Sequence, residues 1–566
     1  MDLKQLVADA IDQSLDLDLS KDEIYDVLEV PRHEGHGDVA FPCFVLAKQL
    51  RKSPNAIAEE LAENISGEGI GSVEVAGPYI NFFLDQELVT EDILKEIYSQ
   101  GDEFGQLHIG KGENVTIDMS SPNIAKPMSM GHLRSTVIGN AIANIEAKVG
   151  FNPIRINHLG DWGTQFGKLI VAYKRWGSEE AVKADPIASL LEYYVKFHEE
   201  ADKDDSLNDE GRHWFKKLED GDPEAVKLWK WFKDESLKEF NRIYDKLGVK
   251  FDYYTGEAFY NDRLQGIVDE LDEKGLLEKN QGATIVNLDE FDLNPALILK
   301  SDGASLYITR DLATAEYRKE TFDFAESIYA VGNEQSYHFK QLKAVLQRAG
   351  HDWQEQMHHI PFGLITAGGK KLSTRKGNVI LLEDVLNDAV ELAKEQIESK
   401  NPDLPNKDEV AHQVGVGAVI FHDLKNDRLN TFDFVLEEVV QFEGETGPYV
   451  QYANARAHSI LRKAGFDGSK ATDNQEFKLT DDVAFSVVKE LNQFPSIVEK
   501  AYMTYEPSVI AKYVIGLAQS FNRYYAHTRI LNEDSELQSR LSLVYAVTKV
   551  LEEGLALLGV EAPQEM

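Results

Sequence analysis

Asp118-Met-Ser-Ser-Pro-Asn-Ile-Ala-Lys-Pro-Met-Ser-Met-Gly-His132, running on into Leu-Arg-Ser-Thr-Val-Ile-Gly-Asn140, decides how this chain folds. Val115-Thr-Ile-Asp-Met119 has the β-branched, apolar content of a strand, and a helical pattern begins near Gly131. A strand, a short polar loop and a helix start in that order bring free backbone N–H groups and a histidine to one point. An anion such as a nucleotide phosphate suits such a place.

Outward from that stretch, short apolar strands alternate with helices: Val115–Met119, Pro153-Ile-Arg-Ile156, Ile328-Tyr-Ala-Val331 and Ile360-Pro-Phe-Gly-Leu-Ile365. Each is followed by a turn bearing Gly, Ser or Asn, the pattern of a doubly wound parallel sheet. The expected class is multidomain: α/β units followed by an all-α region. Residues 1–110 read as a small α/β unit. It has helical patterns at Leu3 to Ile11 and at Phe44 to Leu61, broken at Pro54, and a strand at Tyr79–Leu84. Residues 111–385 read as a Rossmann-like parallel-sheet domain with a charged, aromatic, helical insertion near 170–280. Residues 386–445 form a helical connection, and 446–566 a helical bundle with a loop-like break at Gly465 to Asn474. There is no internal repeat and no low-complexity tract.

The 566 residues suffice for several domains, and 59 basic against 97 acidic residues leave a net charge of −38. That balance disfavours a general affinity for nucleic acid, since phosphate neutralisation supplies much of such binding. A local basic patch is compatible with it, and the acidic remainder would suppress non-specific contacts. No run of about 18 apolar residues marks a membrane span. The N-terminus reads as an acidic amphipathic helix rather than a targeting signal. Cys43 is the only cysteine, which excludes an intrachain disulfide and a multi-cysteine zinc site and suits a reducing cytoplasm.

Two glycine patterns carry no chemistry. Gly105-x-x-x-x-Gly110-Lys111-Gly112 lacks the Ser/Thr of a P-loop and precedes a strand instead of following one. Gly67-Glu-Gly-Ile-Gly71 has no βαβ setting and reads as a loop. The Gly131-His132 turn differs, because Asn123, Lys126 and Ser129 stand with it at the carboxyl end of a strand, where open α/β sheets bind ligands. A second element, Gly368-Gly-Lys-Lys-Leu-Ser-Thr-Arg-Lys-Gly377, gathers Lys370, Lys371, Arg375 and Lys376 between glycines. Read alone it is an exposed basic loop. After a strand of this sheet, a hinged cationic loop suits a transferring phosphate.

Together the two elements resemble the His-Ile-Gly-His and Lys-Met-Ser-Lys-Ser signatures of class I aminoacyl-tRNA synthetases, here Ser129-Met-Gly-His132 and Lys371-Leu-Ser-Thr-Arg375. The Ser-Ser-Pro-Asn-Ile-Ala-Lys-Pro block is similar to that of the bacterial arginyl-tRNA synthetase family. So are His158-Leu-Gly-Asp-Trp-Gly-Thr-Gln-Phe-Gly167, Leu306-Tyr-Ile-Thr-Arg-Asp311 and Gly447-Pro-Tyr-Val-Gln-Tyr-Ala453. The resemblance spans almost the whole chain in the family's order.

The resemblance implies an ATP-dependent, AMP-forming ligase that makes arginyl-adenylate and passes the arginyl group to the terminal ribose of tRNA(Arg). It assigns the amino acid to Asp118, Asn123, Tyr307, Asp311 and Gln335. The physics agrees: a guanidinium offers five donors in a planar fork, so a selective pocket wants carboxylates. Such a site rejects lysine without editing, by roughly 10⁴ or more. ATP falls to Gly131 and His132, with Lys126, Ser129, Lys371, Ser373 and Arg375 on the phosphate side. Magnesium accompanies the nucleotide as its substrate complex, with no tightly bound metal. The tRNA falls to Tyr79 and Asn81 in the N-terminal unit, and to Tyr449, Tyr452, Arg456 and the terminal Met566 in the anticodon-binding region. Tyr449, Tyr452 and Arg456 are spaced i, i+3, i+7, one helical face, where tyrosines stack on unpaired bases. Phe521-Asn-Arg-Tyr-Tyr525 lines the same surface or belongs to the core. The resemblance further leans to a monomer.

Ser129 stands where the family has its first histidine. A serine donates one hydrogen bond but carries no charge, so the change raises a second reading, a tRNA-binding paralogue without chemistry. A third, a nucleotidyl-transfer ligase for a small molecule, is opposed by the long helical C-terminus.

Overall fold

Four parallel strands carry the 118–132 loop, in the order Met357–Ile360, Glu326–Ala330, Asn114–Asp118, Asn152–Ile156. This computed structural model describes residues 1–304, 307–367, 370–371, 380–470 and 476–566, less the side chains of Glu34, Tyr307, Lys370 and Lys371. Parallel neighbours need long crossovers, and the helix Met130–Lys148 supplies the one between Asn114–Asp118 and Asn152–Ile156. Val115 and Ile117 are fully buried on the central strand, where Thr116 Oγ1 bonds Ser327 Oγ at 3.0 Å. Asp118 lies opposite Ile156 on one side and Tyr329 on the other. The chain leaves this strand toward one neighbour and returns much later to the other, so Asp118 ends at the switch point where ligands of such sheets bind.

The expected strand at 360–365 is divided. Met357–Ile360 pairs with Ser327–Ala330 in the parallel sheet. Pro361 follows and has no N–H to give a ladder. Ile365–Ala367 then joins a separate sheet, parallel to Phe432–Asp433 and antiparallel to Lys370–Lys371. The insertion is helical as read: Thr164–Trp176, Pro186–Lys203, Ser206–Glu219 and Pro223–Leu247. Two of these start at an Asp cap followed by Pro, Asp185-Pro186 and Asp222-Pro223. From its last residues onward runs an antiparallel sheet absent from the sequence reading, Leu277–Asn280, Ala283–Val286 and Ala296–Leu299.

The chain forms two compact units. One comprises 1–104, 453–495 and 516–551; the other comprises 105–452, 496–515 and 552–566. The first holds an antiparallel sheet, Val39–Pro42, Tyr79–Leu84 and Ile70–Ala76, with Tyr79–Leu84 in the middle. Within that unit Lys489 Nζ meets Asp38 Oδ1 at 2.6 Å. The helical stretch expected from Phe44 to Leu61 with a break at Pro54 is three short pieces: Ser53-Pro54 starts a new helix, and the one before it ends at Leu50, where Arg51 turns left-handed (φ 52°). Cys43 is buried, and burial pushes its thiol up to about 11, so it is an inert core residue. Among the described residues no helix is long and apolar enough to cross a membrane.

Candidate active site

The loop after Asp118 is held by backbone strain and a buried hydroxyl chain. Ser120, Ser121 and Ala125 take left-handed conformations, with φ of 68°, 51° and 67°. Such residues cost energy and persist only where their surroundings hold them. Here Ser120 N–H donates to Ser135 Oγ (2.9 Å), and Ser135 Oγ donates to the Ala330 carbonyl (2.6 Å). Thr136 Oγ1 donates to Ser120 Oγ (2.8 Å), which shares a hydrogen bond with Tyr244 (2.7 Å). The Ser-Thr pair of the helix Met130–Lys148 therefore braces the loop from below. Gly139 lets that helix close on the strand, since a Cβ there would collide with Met119.

Ser129 is the N-cap of this helix and forms a reciprocal capping arrangement with His132. Its backbone N–H donates to His132 Nδ1 at 3.0 Å, and its Oγ lies 3.2 Å from the same nitrogen. With Nδ1 accepting, a neutral His132 carries its hydrogen on Nε2. Burial lowers the pKa of His132, and Lys126 lowers it further, so the neutral form is favoured. Lys126 and Gly131 are exposed, and beside Gly131 the space is open apart from Ser129 Oγ. The structure thus brings Lys126, Ser129, Gly131 and His132 together at the helix start. Lys371 lies in the strand Lys370–Lys371; its side chain, and all of Ser373 and Arg375, lie outside the described residues.

The two carboxylates assigned to the amino acid are both already engaged. Asp118 Oδ2 is 3.0 Å from Nη2 of Arg318, which is fully buried, and Asp118 Oδ1 accepts from Ser121 Oγ at 3.0 Å. Burial opposes the charge on Arg318, and Asp118 together with Tyr260 and Tyr329 outweighs that, leaving its pKa raised. Asp311 Oδ2 is 2.5 Å from His338 Nε2, and both side chains are about a quarter to a third exposed, at 30% and 25%. His158 and Tyr329 each feel both Asp118 and Asp311, so the two carboxylates share these buried neighbours. Burial lowers the pKa of His158 and pushes that of Tyr329 up to about 12. Asn123 is exposed, and its loop pairs by backbone with Gly160: Ile124 N–H to Gly160 O and Gly160 N–H to Pro122 O, both 3.0 Å. A Cβ at Gly160 would strike the Asn123 side chain. Gln335 is exposed at the start of the helix Ser336–Arg348, and Tyr307 opens the helix Tyr307–Phe322 with its side chain undescribed.

Arg318 and His338 were missed in the sequence. A faint signal existed for Arg318, which follows Asp311 by seven residues and so shares its helix face. Nothing local pointed to His338. Two other motif residues prove structural. Asp161 accepts the Ala258 N–H (2.9 Å) and pairs with Lys233 (2.9 Å). The guanidinium of Arg134 is buried, donating to the carbonyls of Gly363, Arg428 and Asn430 at 3.1–3.2 Å with Asp423 at 3.4 Å. It fixes the segment that leads into Ile365–Ala367. Elsewhere, Glu270, Glu316 and His351 cluster within ligand distance of one another, but His351 Nε2 already bridges both carboxylates at 2.8 and 2.7 Å.

Of the residues assigned to tRNA, Tyr79 is partly exposed, with its ring 5.9 Å from Phe44, while Asn81 is only 4% exposed in the middle strand. The side chain of Asn81 therefore does not present itself for base reading as expected. Tyr449, Tyr452 and Arg456 all lie on the helix Gly447–Ala464. Tyr452 and Met566 pack against one apolar cluster that includes Ile397, Val414 and Phe442. Arg456 donates to Asn522 Oδ1 at 2.9 Å and lies 4.6 Å over the Tyr525 ring. Phe521 and Tyr524 are core, whereas Tyr525 is 44% exposed, so the aromatic segment divides between the two roles foreseen for it.

Three family models match in chain order: the arginyl tRNA synthetase N terminal domain over residues 1–84, the catalytic domain of class I (R) tRNA synthetases over 93–436, and the DALR anticodon binding domain over 450–566. Among curated proteins, the arginine–tRNA ligase of Enterococcus faecalis is 63% identical over 566 residues, covering 100% of both chains. That of Ligilactobacillus salivarius is 61% identical over the same span and coverage. The solved arginyl-tRNA synthetase of Thermus thermophilus superposes with a TM-score of 0.75 at 27% identity, covering 100% of each chain.

Proposed function

The chain belongs to the arginyl-tRNA synthetase family, and on that premise we propose that it activates L-arginine with ATP and transfers the arginyl group to tRNA(Arg). The observation that supports this reading is the pair of carboxylates Asp118 and Asp311, which share His158 and Tyr329 as neighbours, with Asp118 ending the strand whose loop leads to the helix Met130–Lys148. One end suits a guanidinium and the other an anion.

Within the pocket the two carboxylates differ. The charge of Asp118 is balanced by the buried Arg318. Asp311 is the more accessible and is balanced only by a histidine. We therefore assign the substrate's guanidinium to Asp311, with Tyr307 and Gln335 flanking it on the same two helix starts, and its α-amino end to Asn123. Asp118, locked by Arg318 and Ser121, shapes the pocket. Lysine lacks the planar fork and leaves acceptors unpaired, a large penalty in a pocket of this kind.

ATP lies along Lys126, Ser129, Gly131 and His132. A neutral His132 whose Nδ1 is occupied by Ser129 presents Nε2–H to a phosphate oxygen. Lys126 supplies charge, and the family resemblance adds Lys371, Ser373 and Arg375 as phosphate contacts. The arginine carboxylate attacks the α-phosphate, pyrophosphate leaves, and the tRNA 2′-OH then takes the arginyl group. No protein nucleophile is needed; positioning and charge stabilisation supply the rate. Magnesium enters with the nucleotide. Asp118 is already paired with Arg318 and Asp311 with His338.

tRNA recognition falls to Tyr79 and to the helix bearing Tyr449, Tyr452 and Arg456, with Met566 packed against the same apolar cluster as Tyr452. The chain acts as a monomer in the cytoplasm on this reading, which rests on the family resemblance. Ser129, the departure that raised a paralogue without chemistry, keeps His132 in place through its backbone, so that alternative has no observation in its favour. Arginine-dependent exchange of pyrophosphate into ATP tests the function, and its absence with tRNA present would refute it.

A further inference from the structure

We propose that His338 is a proton-operated positioning residue of the guanidinium pocket, holding Asp311 while arginine is absent and yielding Asp311 Oδ2 to the substrate when arginine binds. The inference rests on reading Asp311 as the carboxylate that meets the substrate.

The pocket contains two acid–cation pairs of different character. Arg318 on Asp118 is permanent, since a guanidinium does not lose its proton in proteins and this one is fully buried. His338 on Asp311 is reversible, because imidazole titrates near neutrality. Its Nε2 is 2.5 Å from Asp311 Oδ2, the place a guanidinium N–H would take in a bidentate pair. Both side chains are partly exposed, so an incoming ligand reaches them without opening the core. A protonated His338 holds one acceptor with a charged donor and adds like charge beside the substrate; a neutral one adds no charge and, with its hydrogen on Nδ1, leaves that acceptor free.

The surroundings single out this pair. The hydrogen bond from Asp311 raises the pKa of His338, while burial pulls the other way. Around Asp311 stand His158 from the segment after Asn152–Ile156, Tyr329 from Glu326–Ala330 and Glu257 from Glu257–Arg263. Burial raises Glu257 to about 7, with Arg310 opposing the shift, so it lies close enough in range to need separating by mutation. Beside His338 on its own helix the ring neighbour is Phe339, at 5.8 Å, which carries no charge.

Arginine binding then releases the proton of His338 to solvent. Below the pKa of His338 the apparent affinity for arginine falls by about tenfold per pH unit. The test uses the full chain with tRNA: the KM for arginine in ATP–pyrophosphate exchange from pH 6 to 8.5, for the native protein and for His338→Asn and His338→Gln. Calorimetric titration of the native protein with arginine, in two buffers of different ionisation heat, counts the protons released and needs no variant. The expected result is a native KM that rises on acidification more than kcat falls, release of up to about one proton, and a flattened KM profile in both variants. Variants that keep the native slope, or a native protein that releases no proton on binding arginine, would overturn the proposal. A native protein with no arginine-dependent exchange at any pH would refute the arginine reading itself, a distinct outcome.

Discussion

Arg318 Nη2 lies 3.0 Å from Asp118 Oδ2, so the carboxylate at the end of the central strand is held by the chain's own guanidinium. Asp118→Asn leaves a fully buried cation without its counter-charge, which typically costs about 3–5 kcal/mol. We expect a lower urea midpoint with an unchanged denaturant slope. Asp311→Asn, at a partly exposed site, should cost less than about 1 kcal/mol yet raise the KM for arginine strongly. The reverse pattern in the two variants would exchange the roles given to them.

Ser129 and His132 make the second prediction. Ser129→Ala keeps the backbone N–H that meets His132 Nδ1 and loses only the side-chain cap, for about 1 kcal/mol of stability and little activity. Removing the phosphate-facing donor with His132→Ala should lower the exchange rate by about 10² or more. Ser129→His measures whether a second imidazole adds anything. A rate unchanged from native would mean that position 129 acts here through its backbone alone.

The His338–Asp311 pair also links stability to pH. The folded pKa of His338 is raised above its ordinary value by Asp311. Below the unfolded value of about 6.5 both states hold the proton and the pair contributes fully. As pH rises through the folded value the native state gives up that proton, and the contribution is lost. The stability gap between native protein and His338→Asn should therefore shrink from pH 6 to pH 8.5, by up to about 1 kcal/mol for so exposed a pair. Urea unfolding at the two pH values checks it; a gap independent of pH would show that the pair does not titrate in this range.

On the tRNA side, Arg456 is positioned by Asn522 and Tyr525. Arg456→Ala and Tyr449→Ala should raise the KM for tRNA, with each lost stacking or phosphate contact worth about 1–3 kcal/mol. Asn81→Ala, by contrast, removes a buried side chain and should register in stability before it registers in the KM for tRNA. A rise in that KM alone would return Asn81 to the binding surface.

The catalytic sheet was legible because its strands are short apolar runs ending in polar turns, and the helix start at Ser129-Met-Gly-His132 was legible because caps and glycines act locally. The strand near 360 was misplaced because Ile360-Pro-Phe-Gly-Leu-Ile365 is apolar throughout; only Pro361, which cannot join a ladder, marks the change of sheet. The antiparallel sheet 277–299 escaped because its strands are four residues long and one of them, Leu277–Asn280, is mostly charged or polar. In the pocket, spacing indicated carboxylates but not their partners. Arg318 is 200 residues from Asp118, and His338 sits on a different helix from Asp311, so only the packed structure pairs them.

The central claim is tested most directly by ATP–pyrophosphate exchange with arginine or lysine, each with and without tRNA(Arg). The account predicts exchange with arginine and tRNA together and none with lysine. Exchange that lysine supports as well as arginine, or that proceeds with neither amino acid, would contradict it.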